Sequence, residues 1–147
     1  MSLRDDKQTA LNDVIYAVKD SAHHYQQAAE FVSDAGLAEL FRTIAGQRET
    51  LATELDAHIR RLHDLPREPD PDRETMDAVI TRLKAALTGD ERLSVLEERE
   101  QAEDELRTCI EAALAQDLPE ATQAVLTRLH DEVIATQERL SSVKQKT

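Results

Sequence analysis

Residues 91–115, ERLSVLEEREQAEDELRTCIEAALA, decide how this chain is read. The stretch has neither glycine nor proline and is built from Leu, Ala, Glu and Arg, the residues that lose least on entering a helix. At helical spacing Leu93, Leu96, Glu100, Glu103, Leu106, Ile110 and Ala113 fall in one stripe. Two carboxylates therefore stand where a core-facing helix carries hydrophobes. A buried carboxylate is costly unless it is paired, protonated or bound to a metal, so Glu103 above all limits what the protein can be.

Outward from this helix the chain alternates between periodic segments and breaks. On the C-terminal side Asp117-Leu118-Pro119 is a tight break, with Pro119 placed to open a last helix over about 119–143. Val125, Leu129, Glu132 or Val133, Thr136, Leu140 and Val143 form its stripe. On the N-terminal side Asp90 is a cap residue, and Gly89 ends a short amphipathic helix over about 73–88 that Asp72 can cap. That helix carries Met76, Val79, Ile80, Leu83 and Leu87. Before it, residues 65–71 (LPREPDP) hold three of the four prolines and cannot be helical. Earlier still, a helix over about 36–63 presents Leu37, Phe41, Ile44, Arg48, Leu51, Leu55, His58 and Leu62 on one side. The short break at Ser33, Asp34 and Gly36 makes it the antiparallel neighbour of a first helix over about 6–32. The first helix is striped by Leu11, Val14, Ile15, Val18, Ala22, Tyr25, Ala29 and Val32. Two hairpins joined by a long connection with its own short helix predict an all-α, ferritin-like four-helix bundle with one crossover, in a single domain over 1–147.

Composition narrows the partners. Thirty acidic against eighteen basic residues give a net charge of −12, which repels nucleic acid and anionic lipid. Tyr16, Tyr25, Phe31 and Phe41 are the only aromatic residues, too few for a base-stacking surface. Neither a basic start followed by an apolar run nor a stretch of membrane-spanning length is present. Cys109 is alone and cannot form an internal disulfide. A cytoplasmic protein is the expectation.

A set of weak signals, in order, carries a family resemblance. Leu11-Asn12-Asp13 opens the first helix, followed by Lys19-Asp20, Tyr25 and Ala28-Ala29-Glu30. Phe41-Arg42, Gln47-Arg48 and Glu54-Leu55 mark the second helix, and Lys84 and Ala86-Leu87-Thr88-Gly89 the connection. Leu96-Glu97-Glu98, Glu100, Glu103-Asp104 and Asp117-Leu118-Pro119 complete the set. Together they resemble an uncharacterised bacterial family of ferritin-like four-helix-bundle proteins, catalogued as a domain of unknown function. The resemblance implies the bundle and carries no established activity. The chain departs from that pattern at Ser21-Ala22-His23-His24, where glycine or acidic residues are expected.

Carboxylate-bridged dinuclear bundles take one Glu from each of two helices and a Glu-x-x-His pair from each of the others. No Glu in this chain is followed by His three positions later. Asp20 precedes His23 by three and His24 by four, and Glu54 precedes His58 by four. The standard site is therefore absent. A degenerate iron or manganese site using His23, His24, Glu54, Glu100 and Glu103, with Tyr25 nearby, is the alternative. Against it stands a protein-only reading: Glu100 and Glu103 pair with Arg48 across the core and hydrogen-bond Tyr25. A third arrangement turns Glu100 to solvent at the edge of its stripe. Adjacent helical residues diverge by about 100°, so His23 and His24 cannot readily share one ion. Cys109 reads as a small core residue, His58 and His63 as neighbours of a helix C-terminus, and His130 as surface. The acidic run from Glu97 to Glu105, broken by Arg99, reads as a solvated face with only Glu100 and Glu103 turned inward.

The sequence thus predicts a non-enzymatic bundle with a buried polar cluster of Tyr25, Arg48, Glu100 and Glu103. No cofactor is expected, and the role is structural or regulatory, through a homo-oligomer (a dimer) or a protein partner. The alternative is a ferritin-like metal-binding protein or oxidase.

Overall fold

A computed structural model describes residues 3–61 and 91–146. Four long helices account for nearly all of them: α1 Leu3–Phe31, α2 Ala35–Arg61, α3 Glu91–Leu114 and α4 Glu120–Gln145. The sequence limits lie within about three residues of these, the scatter expected where helix ends fray. The short helix read over 73–88 and the proline-rich stretch before it lie outside the described residues.

Local chemistry sets the breaks. Asp34 accepts a hydrogen bond from the Leu37 backbone N–H at 2.8 Å, capping α2 at its third position. Pro119 stands just before α4 with extended backbone (φ −54°, ψ 146°), and its carbonyl accepts the first helical bond from Gln123 N at 3.0 Å. The α1–α2 turn is tied to the start of α3 from both sides. Ser33 N donates to Glu91 at 2.7 Å, and Arg92 Nη1 donates to Asp34 at 2.6 Å.

Those ties fix the topology. α3 begins beside the α1–α2 turn, so it runs parallel to α2 and antiparallel to α1. α1 packs on α2 and α3, α4 packs on the same two, and among the described residues the backbones of the diagonal pairs α1/α4 and α2/α3 do not approach closely, so only side chains reaching across the core can bridge them. α2 ends at the opposite end of the bundle from where α3 begins, so the two hairpins are joined by a crossover. The protein is an all-α four-helix bundle.

Two apolar cores fill it. One gathers Leu11, Val14 and Ile15 with Leu55, Ile59, Leu106, Ile110, Val125 and Leu129 near the α3–α4 turn. The other gathers Tyr25, Val32, Leu37, Phe41, Ile44, Val95, Leu96 and Leu140 near the α1–α2 turn. Between them the stripes of all four helices turn polar at the same level: Ser21 on α1, Arg48 on α2, Arg99 and Glu103 on α3, Thr136 on α4. All five side chains are buried.

Candidate functional site: a buried ion network

Arg48 is the hub. It continues the α2 stripe of Phe41, Ile44, Ala45, Ala52 and Leu55 and is 0% exposed. Its Nη1 donates to Glu103 Oε2 at 2.9 Å and its Nη2 donates to Glu103 Oε1, a two-pronged clasp across the bundle. Nη1 also donates to the Ser21 hydroxyl at 2.7 Å, and Nε donates to Glu132 at 2.5 Å. The other oxygen of Glu132 accepts from the Thr136 hydroxyl, one turn further along α4, at 3.0 Å. One side chain thereby joins residues of all four helices. Planar, forked geometry is what lets a guanidinium serve several acceptors at once. Burial pulls the Arg48 pKa down, and the hydrogen bond and charge of Glu103, helped by Glu132, more than reverse it.

A second arginine lies one step away. Arg99 is 1% exposed, and its Nε and Nη2 both donate to Glu98, the preceding residue, at 2.7 Å each. Its Nη1 is buried with no hydrogen-bond partner. The Tyr25 ring has a guanidinium carbon 4.8 Å from its centre on the Arg99 side and another 5.5 Å away on the Arg48 side. Cation–π attraction works over this range. The ring also meets Phe41 at 5.6 Å between centres. The Tyr25 hydroxyl feels the charge of nearby Glu103 but completes no hydrogen bond of normal geometry. Burial first, and the Glu103 charge second, push its pKa well above the ordinary value, so it stays a neutral phenol.

Tyr25, Arg48 and Glu103 thus converge, and Glu100 does not join them. Glu100 sits at the bundle edge, 27% exposed in its side chain, and pairs with Lys144 of α4 at 2.8 Å. The stripe passes through Arg99 instead. From Leu96, a step of three reaches 99 and a step of four reaches 100, and the helix rotation that buries Val95 and Leu96 favours the first. The expectation that the 97–105 run faces solvent apart from Glu100 and Glu103 is corrected accordingly. The Tyr25 hydroxyl does lie beside Glu103, as the sequence suggested, though short of a hydrogen bond of normal geometry.

The residues of the alternative metal site are scattered. Glu54 pairs with Arg128 through both oxygens at the surface, which lowers its pKa. His23 is exposed and His24 half-buried, on different sides of α1. Among the described residues no group of three His, Cys, Asp or Glu side chains is placed to hold a metal. Chemistry at the centre also opposes a cation. Both oxygens of Glu103 face a guanidinium, and the charge of Arg99 also reaches this carboxylate. The residues present do not fit a carboxylate-bridged metal centre. Of the remaining candidates, His130 is partly buried and faces Glu111 at 2.9 Å, and Cys109 is half-buried beside the apolar core near the α3–α4 turn.

Sequence reasoning missed Arg99, Glu98, Ser21 and Glu132 as members of the network. A usable signal for Arg99 existed: it is the only basic residue in the run 97–105. Glu132 was weighed against Val133 for one stripe position, and both contribute. Val133 is fully buried, while Glu132, 16% exposed in its side chain, reaches in from the flank.

Fold and centre define a class: an all-α bundle whose two apolar cores are joined by a protein-neutralised ionic layer. The chain belongs to the DUF2383 family, described as a domain of unknown function, whose pattern matches residues 6–116. The matched span contains Ser21, Tyr25, Arg48, Glu98, Arg99 and Glu103, whereas Glu132 and Thr136 on α4 lie beyond it. Among curated proteins, none matches the chain.

Proposed function

We propose that this protein is a non-enzymatic, cytoplasmic, ferritin-like bundle with a structural or regulatory role, acting through self-association or a protein partner. The observation that carries the reading is the Arg48–Glu103 clasp. It takes the one fully buried carboxylate of the described core and commits both its oxygens to a guanidinium. A buried, hydrogen-bonded pair of this kind sets helix register more than it adds stability. It also removes the ligand on which a ferritin-like metal centre would be built. Among the described residues no helix is long and apolar enough to cross a membrane, which agrees with the cytoplasmic reading.

Self-association rests on the apolar positions Met76, Val79, Ile80, Leu83 and Leu87, which lie outside the described residues and form one stripe at helical spacing. Light scattering on the full chain, alongside elemental analysis of protein purified without chelators, tests both halves of the reading. A mass that is a multiple of 16.5 kDa, reduced to one copy by Ile80→Lys with Leu83→Lys, is the expected result, with metal far below one ion per chain. A monomeric parent protein that also retains no partner on purification removes the association reading. Near-stoichiometric iron or manganese that survives desalting replaces the whole proposal with the metal-binding protein or oxidase.

A further inference from the structure

We draw no further inference here: the strongest candidate, the outward face of α2 that carries exposed Thr43, Gly46, Thr50, Thr53 and Ala57 at alternating steps of three and four, is a stripe of small residues, and nothing in the structure shows what covers it.

Discussion

Among the described residues Arg48 and Arg99 are the two largest fully buried side chains, and they are held in opposite ways. Arg48 takes acceptors from three other helices: Ser21 of α1, Glu103 of α3 and Glu132 of α4. Arg99 is served by Glu98, its neighbour in sequence, and keeps one nitrogen idle. A guanidinium satisfied across helices reports on how the helices are arranged, since a slip in any of them breaks a bond. One whose acceptors lie on its own helix travels with that helix, and what it meets beyond it is the Tyr25 ring of α1. The comparison assigns register to Arg48 rather than to Arg99.

The largest effect should come from breaking the clasp on one side only. Glu103→Ala leaves Arg48 charged and buried with half its acceptors gone, and should cost about 3–5 kcal/mol in urea unfolding. Glu103→Leu combined with Arg48→Met removes both charges and should return most of that loss, ending near the parent protein or above it. A double variant as unstable as the single one would mean that the network, not the unpaired charge, holds the bundle together.

Arg99→Met sharpens the comparison at smaller scale. Its partner Glu98 is 14% exposed in its side chain and can turn to water, so no charge is stranded. The variant loses stacking on Tyr25, but it also removes an unpartnered donor, and Met fills a similar space. The expected cost is about 1 kcal/mol in the same unfolding experiment, with the Arg48 network intact. A cost as large as that of Glu103→Ala would show that the two arginines act as one unit.

Much of this was legible before any coordinates. The four helices, their breaks and the crossover follow from apolar spacing, two short breaks and a proline-rich connection. Tyr25, Arg48 and Glu103 stood out because each interrupts or completes a stripe that is otherwise apolar. Arg99 against Glu100 was not decidable from α3 alone, because steps of three and four are equally helical. What settles it is tertiary. Lys144 meets Glu100 at the edge of α4, while the Tyr25 face offers a guanidinium a place inside. Those partners lie 44 and 74 residues away along the chain, where a one-helix pattern has no reach. Glu132 escaped for a related reason. Its Cα lies on the flank of α4, and only its reach brings it to Arg48, a distinction that stripe reading does not make.

The smallest expected effect at neutral pH belongs to the residue between the two arginines. Tyr25→Phe deletes a buried hydroxyl that makes no hydrogen bond of normal geometry and keeps the ring that both guanidinium groups face. Stability at pH 7 should therefore stay within about 1 kcal/mol of the parent protein. The difference appears in alkali. The folded protein holds the Tyr25 proton well above the ordinary phenol value, chiefly through burial and then through the charge of Glu103. The unfolded chain releases it from about pH 10. The contribution of this proton is complete below pH 10 and is lost as pH rises from there toward the folded value. Unfolding midpoints of the parent protein should fall above pH 10 more steeply than those of Tyr25→Phe. In the folded parent one of the two tyrosines should give no tyrosinate absorbance until the chain unfolds. Two tyrosines titrating freely in the folded state would mean that water reaches the centre, and both arginines would then be solvated rather than held by their differing partners.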